Sequence, residues 1–194
     1  MASKMFAKFG TMAGGKTLHL LSIAYNFEAA GKQILLFTAA IDDRTKIGQI
    51  SSRIGVSREA RTFDKTTDFF EEARKAEGIS ALLVDEAQFI DGFPQARQLH
   101  LVAAKLGIPV LTFFLRTDFK GRPFEGAAAL MALADDVECI KGMCQCGRAS
   151  AMNIRIDDQG NRVTEGQQIL IGGSSRYQAV CSRCFYEGAD HHEQ

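Results

Sequence analysis

Charge of one sign is what this chain of 194 residues lacks first: 23 lysines and arginines balance 23 aspartates and glutamates. Without a global basic field, the composition does not point to nucleic acid as a partner. Long apolar runs are missing too, none approaching the roughly 20 residues that span a bilayer. The opening "MASKMFAKFG" runs straight into a strand-like pattern and leaves no room for a signal peptide. Internal repeats and low-complexity linkers are absent. Cysteine is sparse and odd in number, five in all, with two close pairs in the C-terminal third. That arrangement suits a metal in a reducing cytosol better than disulfides. The expectation is a soluble, cytoplasmic chain with one α/β core and a small appendage.

What is present begins with "GTMAGGKT", residues 10–17. It fits G-x-x-x-x-G-K-[ST] at Gly10, Gly15, Lys16 and Thr17, with Thr11, Met12, Ala13 and Gly14 between. The alternating "KMFAKF" before it reads as a strand. The helical spacing of "KTLHLLSIAYNFEAAG" after it ends at Gly31, a C-cap signal. Glycines let backbone N–H groups turn onto phosphate oxygens, and the helix N-terminus adds the positive end of its dipole. Lys16 then reaches the β- and γ-phosphates of ATP, and the Thr17 hydroxyl ligates Mg²⁺.

Strands and helices alternate from there to about residue 135. "KQILLFTA" and "ISALLVDEAQF" read as buried strands, and "IPVLTFFLRTDF" as another. "IDDRTKIGQISSR" reads as a polar loop. "TTDFFEEARKAEG" reads as a helix capped by Thr66 or Thr67. "FPQARQLHLVAAKLG" is an amphipathic helix with Pro94 near its start and Gly107 at its end. This alternation predicts an α/β fold with right-handed crossovers and a mainly parallel sheet. Asp85 and Glu86 in "VDEAQF" follow apolar "ALLV" and so emerge at the carboxyl edge of the sheet, where ligands bind in such folds. One acid can hold Mg²⁺ and the next can take a proton from an attacking hydroxyl.

The composition then changes to glycine-rich, strand-like segments. Cys144 and Cys146 form C-x-C, and Cys181 and Cys184 form C-x-x-C, a pattern for a structural Zn²⁺ held by four thiolates. Cys139, outside the pairs, reads as a buried small apolar residue. A zinc ribbon beside a P-loop domain either grips nucleic acid or closes over a small substrate. Arg148, Arg155, Arg162, Arg176 and Arg183 keep the first option open, although base-stacking aromatics are not interleaved with them.

Over nearly its full length the chain resembles the type II thymidine kinases. The motifs "GTMAGGKT", "AAIDDR", "VDEAQF", "LRTDFKGRPF", "CQCG", "IGGSSRY" and "CSRC" occur in family order. The resemblance implies a RecA-like P-loop kinase domain over residues 1–138 and a zinc-binding lid over 139–194 that wraps the nucleoside. It implies transfer of the ATP γ-phosphoryl group to thymidine, a homotetramer and feedback inhibition by dTTP. Glu86 is the implied general base, and Asp42, Arg44, Asp85 and Gln88 join the P-loop around the nucleotide, with Arg53 similar. Met12, Phe89, Leu115, Phe119 and Phe124 form the implied apolar slot for thymine, closed by Leu170, Gly172 and Tyr177. Phe113 and Phe114 are expected in the core instead. Deoxyuridine should be accepted in part, because a methyl in an apolar slot is worth about 1–3 kcal/mol. Two other readings are a P-loop ATPase that acts on nucleic acid through its zinc ribbon, and a silent homologue that only senses nucleotide.

Overall fold

The computed structural model describes residues 2–41, 47–169 and 176–187. Asp42, Arg44, Leu170 and Gly172 lie outside the described residues. Six strands form a sheet in which every neighbouring pair is parallel: β1 (Met5–Gly10), β2 (Gln33–Ala39), β5 (Arg61–Phe63), β6 (Ile79–Val84), β7 (Val110–Phe114) and β8 (Asp136–Ile140). Their spatial order is β5-β2-β6-β7-β1-β8.

Alternation along each strand builds two apolar layers. Leu35, Phe37, Leu82, Val84, Val110 and Phe114 face one side, beneath α2 (Phe69–Lys75), α3 (Gly92–Leu101) and α4 (Glu125–Leu133). Leu36, Ala81, Leu83, Leu111 and Phe113 face the other, beneath α1 (Lys16–Ala29). Helices cover both faces, which is why these strands read as continuous apolar runs rather than as alternating ones. Phe113 and Phe114 are fully buried, as expected.

Several local expectations are corrected. Helix α2 is capped by Asp68, whose Oδ1 accepts the amides of Phe70 and Glu71 at 3.0 and 3.1 Å. Thr66 and Thr67 are occupied one turn earlier: both hydroxyls bond Asp64 Oδ1, and Thr67 Oγ1 also accepts the Asp64 amide. The segment read as a polar loop contains a strand, β3 (Gln49–Ser51), which pairs antiparallel with β4 (Ser57–Glu59) just beyond it. Ile50 anchors it by inserting into the α1-side core. The strand read through residue 89 stops at Val84, and a 3₁₀ turn takes up Ala87–Phe89. Likewise β7 ends at Phe114, and the "RTDF" residues leave the sheet. Strand β8, not anticipated, pairs with β1 and runs to Ile140. Cys139 lies on it half-buried rather than buried.

The C-terminal part carries an antiparallel sheet of β9 (Met152–Ile156), β10 (Arg162–Val163) and β11 (Tyr177–Val180), followed by α5 (Ser182–Glu187). Among the described residues no helix is long and apolar enough to cross a membrane.

Candidate active site

The loop after β1 becomes a cradle because Gly15 takes a left-handed conformation, φ 89°, and caps α1 with its backbone alone. The first amides of a helix have no partner within it, so α1 aims donors and the positive end of its dipole at the loop. Lys16 is buried and donates from Nζ to the Thr11 carbonyl at 2.8 Å, which holds a cation at the loop mouth. A cavity of about 470 Å³ opens here, lined by Met12, Ala13, Gly14, Gly15, Lys16 and Thr17. Its far side is formed by Gln49 to Ile54 of the hairpin region, including Arg53, and by Asp85, Glu86 and Leu115 from the carboxyl edge of the sheet.

Thr17 Oγ1 donates to Asp85 Oδ2 at 3.0 Å. Asp85 Oδ1 is buried without a hydrogen-bond partner, the one such side-chain atom among the described residues. Burial and the neighbouring Glu86 raise the Asp85 carboxyl to about 7, against the lowering pull of Lys16 and Thr17. An orphaned carboxylate oxygen beside a P-loop hydroxyl is a fitting donor set for Mg²⁺, a hard cation that takes oxygen ligands.

Glu86 adopts φ 52°, an uncommon left-handed value for a residue with a side chain, and turns the chain sharply out of β6. Strain of this kind costs about 1–3 kcal/mol and collects at functional sites. Its Oε2 accepts from Gln88 Nε2 at 2.6 Å, and Gln88 Oε1 accepts the Leu115 amide at 3.0 Å. Gln88, expected around the nucleotide, does not line this cavity. It fixes the Glu86 carboxylate from behind.

The described members of the expected nucleoside set fall into three groups. Met12 and Leu115 line the cavity, while Phe89 and Phe124 pack edge to face with centroids 6.0 Å apart. Phe119 is buried 3.8 Å beneath the Arg155 guanidinium, in a turn pinned by Asp118 Oδ1, which accepts the amides of Lys120 and Arg122. Tyr177 joins Phe119, since Arg155 also donates to its hydroxyl at 2.7 and 3.1 Å. Gly10 and Thr11 hold the loop rather than face the cavity: Gly10 pairs with Ile140, and Thr11 Oγ1 lies 2.7 Å from Ser150 Oγ.

Cys144, Cys146, Cys181 and Cys184 come together, their sulfurs all within 4.8 Å of one another. Cys146 and Cys181 sulfurs are 3.6 Å apart, near the roughly 3.8 Å edge of a tetrahedron with Zn–S bonds of about 2.3 Å. The donor set fits zinc.

The family model described as thymidine kinase matches residues 4–185. The chain belongs to the thymidine kinase family. It is 51% identical over 184 residues to the thymidine kinase of Chromobacterium violaceum, covering 95% of this chain and 98% of that one. The thymidine kinase of Agrobacterium fabrum is 42% identical over 188 residues, covering 95% and 97%. That of Haemophilus influenzae is 43% identical over 182 residues, covering 92% and 94%. Membership in the thymidine kinase family makes the chain an ATP-dependent kinase. Sequence reasoning missed Ser150 and Asn153, and it read Arg155 only as one possible contact to nucleic acid. The P-loop partners of Ser150 and Asn153 lie some 140 residues earlier, and no local pattern marks such pairs.

Proposed function

We propose that the chain transfers the γ-phosphoryl group of ATP to the 5′-hydroxyl of thymidine, giving dTMP and ADP for nucleotide salvage. The observation that carries this reading is the Thr17–Asp85 hydrogen bond immediately beside Glu86, in one cavity with Met12 and Leu115. Glu86 takes the proton of the 5′-hydroxyl as that oxygen forms its bond to the γ-phosphorus. The bond from the γ-phosphorus to the β-phosphate bridging oxygen breaks, and ADP leaves with the electron pair. Gln88 holds the Glu86 carboxylate in one orientation, so no reorganisation accompanies the transfer. Lys16 and the amides at the start of α1 bind phosphate oxygens. The Met12 amide is not among them, because it donates to Asn153 Oδ1 at 2.8 Å. Thr17 and Asp85 would hold Mg²⁺, which neutralises phosphate charge.

The remaining assignments rest on the family. Asp42, Arg44 and Arg53 attend the phosphates, and Leu170 and Gly172 read the base. Phe89, Phe119, Phe124 and Tyr177 complete the slot, and deoxyuridine is a weaker acceptor. Residues 139–194 act as a lid held by Zn²⁺ on the four cysteines, over a kinase domain of residues 1–138. The enzyme works in the cytoplasm as a homotetramer inhibited by dTTP. Three of the five arginines behind the nucleic-acid alternative have partners within the chain, and of these Arg162 and Arg183 stay exposed. Arg155 is buried, Arg162 donates to the Phe185 carbonyl, and Arg183 pairs with Glu187 at 2.5 Å.

The test is phosphoryl transfer from γ-labelled ATP to a panel of nucleosides. Label on the 5′-oxygen of thymidine, with less on deoxyuridine and none on ribonucleosides, is the expected result. ATP hydrolysis with thymidine untouched overturns the reading.

A further inference from the structure

Strand β9 has two different faces. Met152 and Ile154 point into the cysteine-bearing core with Val180 and Phe185. Asn153 and Arg155 alternate with them, so they leave by the opposite face, and both are more than nine-tenths buried. Asn153 Oδ1 accepts the Met12 amide of the phosphate-binding loop at 2.8 Å. Since an N–H can only donate, the orientation of the Asn153 amide is fixed by this bond. Two residues further, Arg155 covers Phe119, bonds the Tyr177 hydroxyl, and donates to the Gln167 carbonyl at 2.9 Å.

The approach to β9 reinforces the tie. Ser150 Oγ bonds Thr11 Oγ1, and the Thr11 carbonyl in turn accepts from both Lys16 Nζ and the Gly14 amide. Gly142 packs so closely that a Cβ there would lie 2.8 Å from Ser150 Oγ and 3.2 Å from Gly14 Cα. One short strand thus grips the nucleotide loop at Asn153 and the nucleoside wall at Arg155.

We propose that Asn153 is a positioning residue that couples the two substrate sites, so that each substrate strengthens binding of the other through β9. This rests on the nucleoside-kinase reading above. A nucleoside seated against Phe119 and Tyr177 orders Arg155 and with it β9. Asn153 then holds the Thr11–Met12 peptide in the register that a nucleotide needs, and the second ligand has less left to order. By linkage the effect is reciprocal.

The experiment is calorimetric titration of the full-length, metal-loaded protein with Mg²⁺·ADP, with and without saturating thymidine. ADP and thymidine together cannot turn over. Wild type is expected to bind ADP at least about fivefold more tightly with thymidine present, and in Asn153→Ala the ratio should fall to about one. A residue that only stabilises the fold would lower the melting temperature and weaken both ligands while leaving the ratio unchanged. A wild-type ratio of one, or an unchanged ratio in Asn153→Ala, overturns the proposal. Should Asn153→Ala fail to fold, Ser150→Ala decides by the same criterion, with a reduced ratio expected. If wild type phosphorylates thymidine but shows no coupling, the inference alone fails. If thymidine neither binds nor reacts, the kinase reading fails and the inference with it.

Discussion

The parallel sheet and the cysteine-bearing C-terminal part differ in what they bury. The sheet buries large side chains on both faces, among them Phe37, Phe63, Phe69, Phe113, Phe114, Leu82 and Leu83, all essentially inaccessible. Among the described residues of the C-terminal part none of the largest fully buried side chains occurs, and three of its seven core residues are cysteines. Apolar burial at about 25 cal/mol per Å² carries a large core but leaves a segment this small marginal. Four thiolates around one cation would replace that missing core, since structural zinc binding contributes about 10–16 kcal/mol in small domains. On that reading the C-terminal part depends on a single site, and the sheet on many distributed contacts.

The sharpest way to break this contrast is to remove the metal. Cys181→Ser, or a strong chelator, is expected to open the lid to proteolysis and to lower thymidine phosphorylation by at least about a hundredfold. The helical circular dichroism of the sheet domain should largely survive. Loss of both together would mean that the two regions fold as one unit. A smaller but still large effect is expected inside the sheet. Phe37 meets Phe69 edge to face at 5.2 Å, and Phe37→Ala should cost about 3–5 kcal/mol in denaturant unfolding. Phe185→Ala in the metal-loaded lid should barely move that transition.

Asp85 offers a milder test, through pH. Its carboxyl is raised from 3.8 to about 7 by burial and by Glu86, so the folded state holds a proton that the unfolded state has released. Stability in metal-free protein is then highest at low pH on account of this group and declines as pH rises through about 7. The slope implies a loss of about 1 kcal/mol between about pH 6 and 8, and Asp85→Asn should flatten it. Melting temperatures across that range provide the check, with a rise instead of a fall contradicting the assignment. Smallest is the cap of α2, where Asp68→Ala should cost about 1 kcal/mol in the same unfolding measurement.

Legibility followed the range of the interactions. The phosphate loop, the buried strands and the two acids after β6 were readable because each is a contiguous pattern with a local cause. Asp68 displaced the threonines as a cap because Asp64 had already drawn their hydroxyls into a turn. Strand β8 escaped notice because it is an edge strand with its first three residues exposed, so no apolar run announces it. The cysteine spacing foretold a four-sulfur cluster. Nothing in the spacing could reveal that Gln88 braces Glu86, or that Ser150 and Asn153 reach the phosphate loop. Those pairings exist only once the chain has closed on itself.

Turnover by Glu86→Gln bears most directly on the central claim, measured with saturating ATP and thymidine beside the nucleotide affinity of the same variant. The amide keeps an oxygen of nearly the same shape but is not a base. A general base at Glu86 requires a fall in kcat of about 10²–10⁴-fold with ATP binding little changed. A variant that phosphorylates thymidine at the wild-type rate would contradict it.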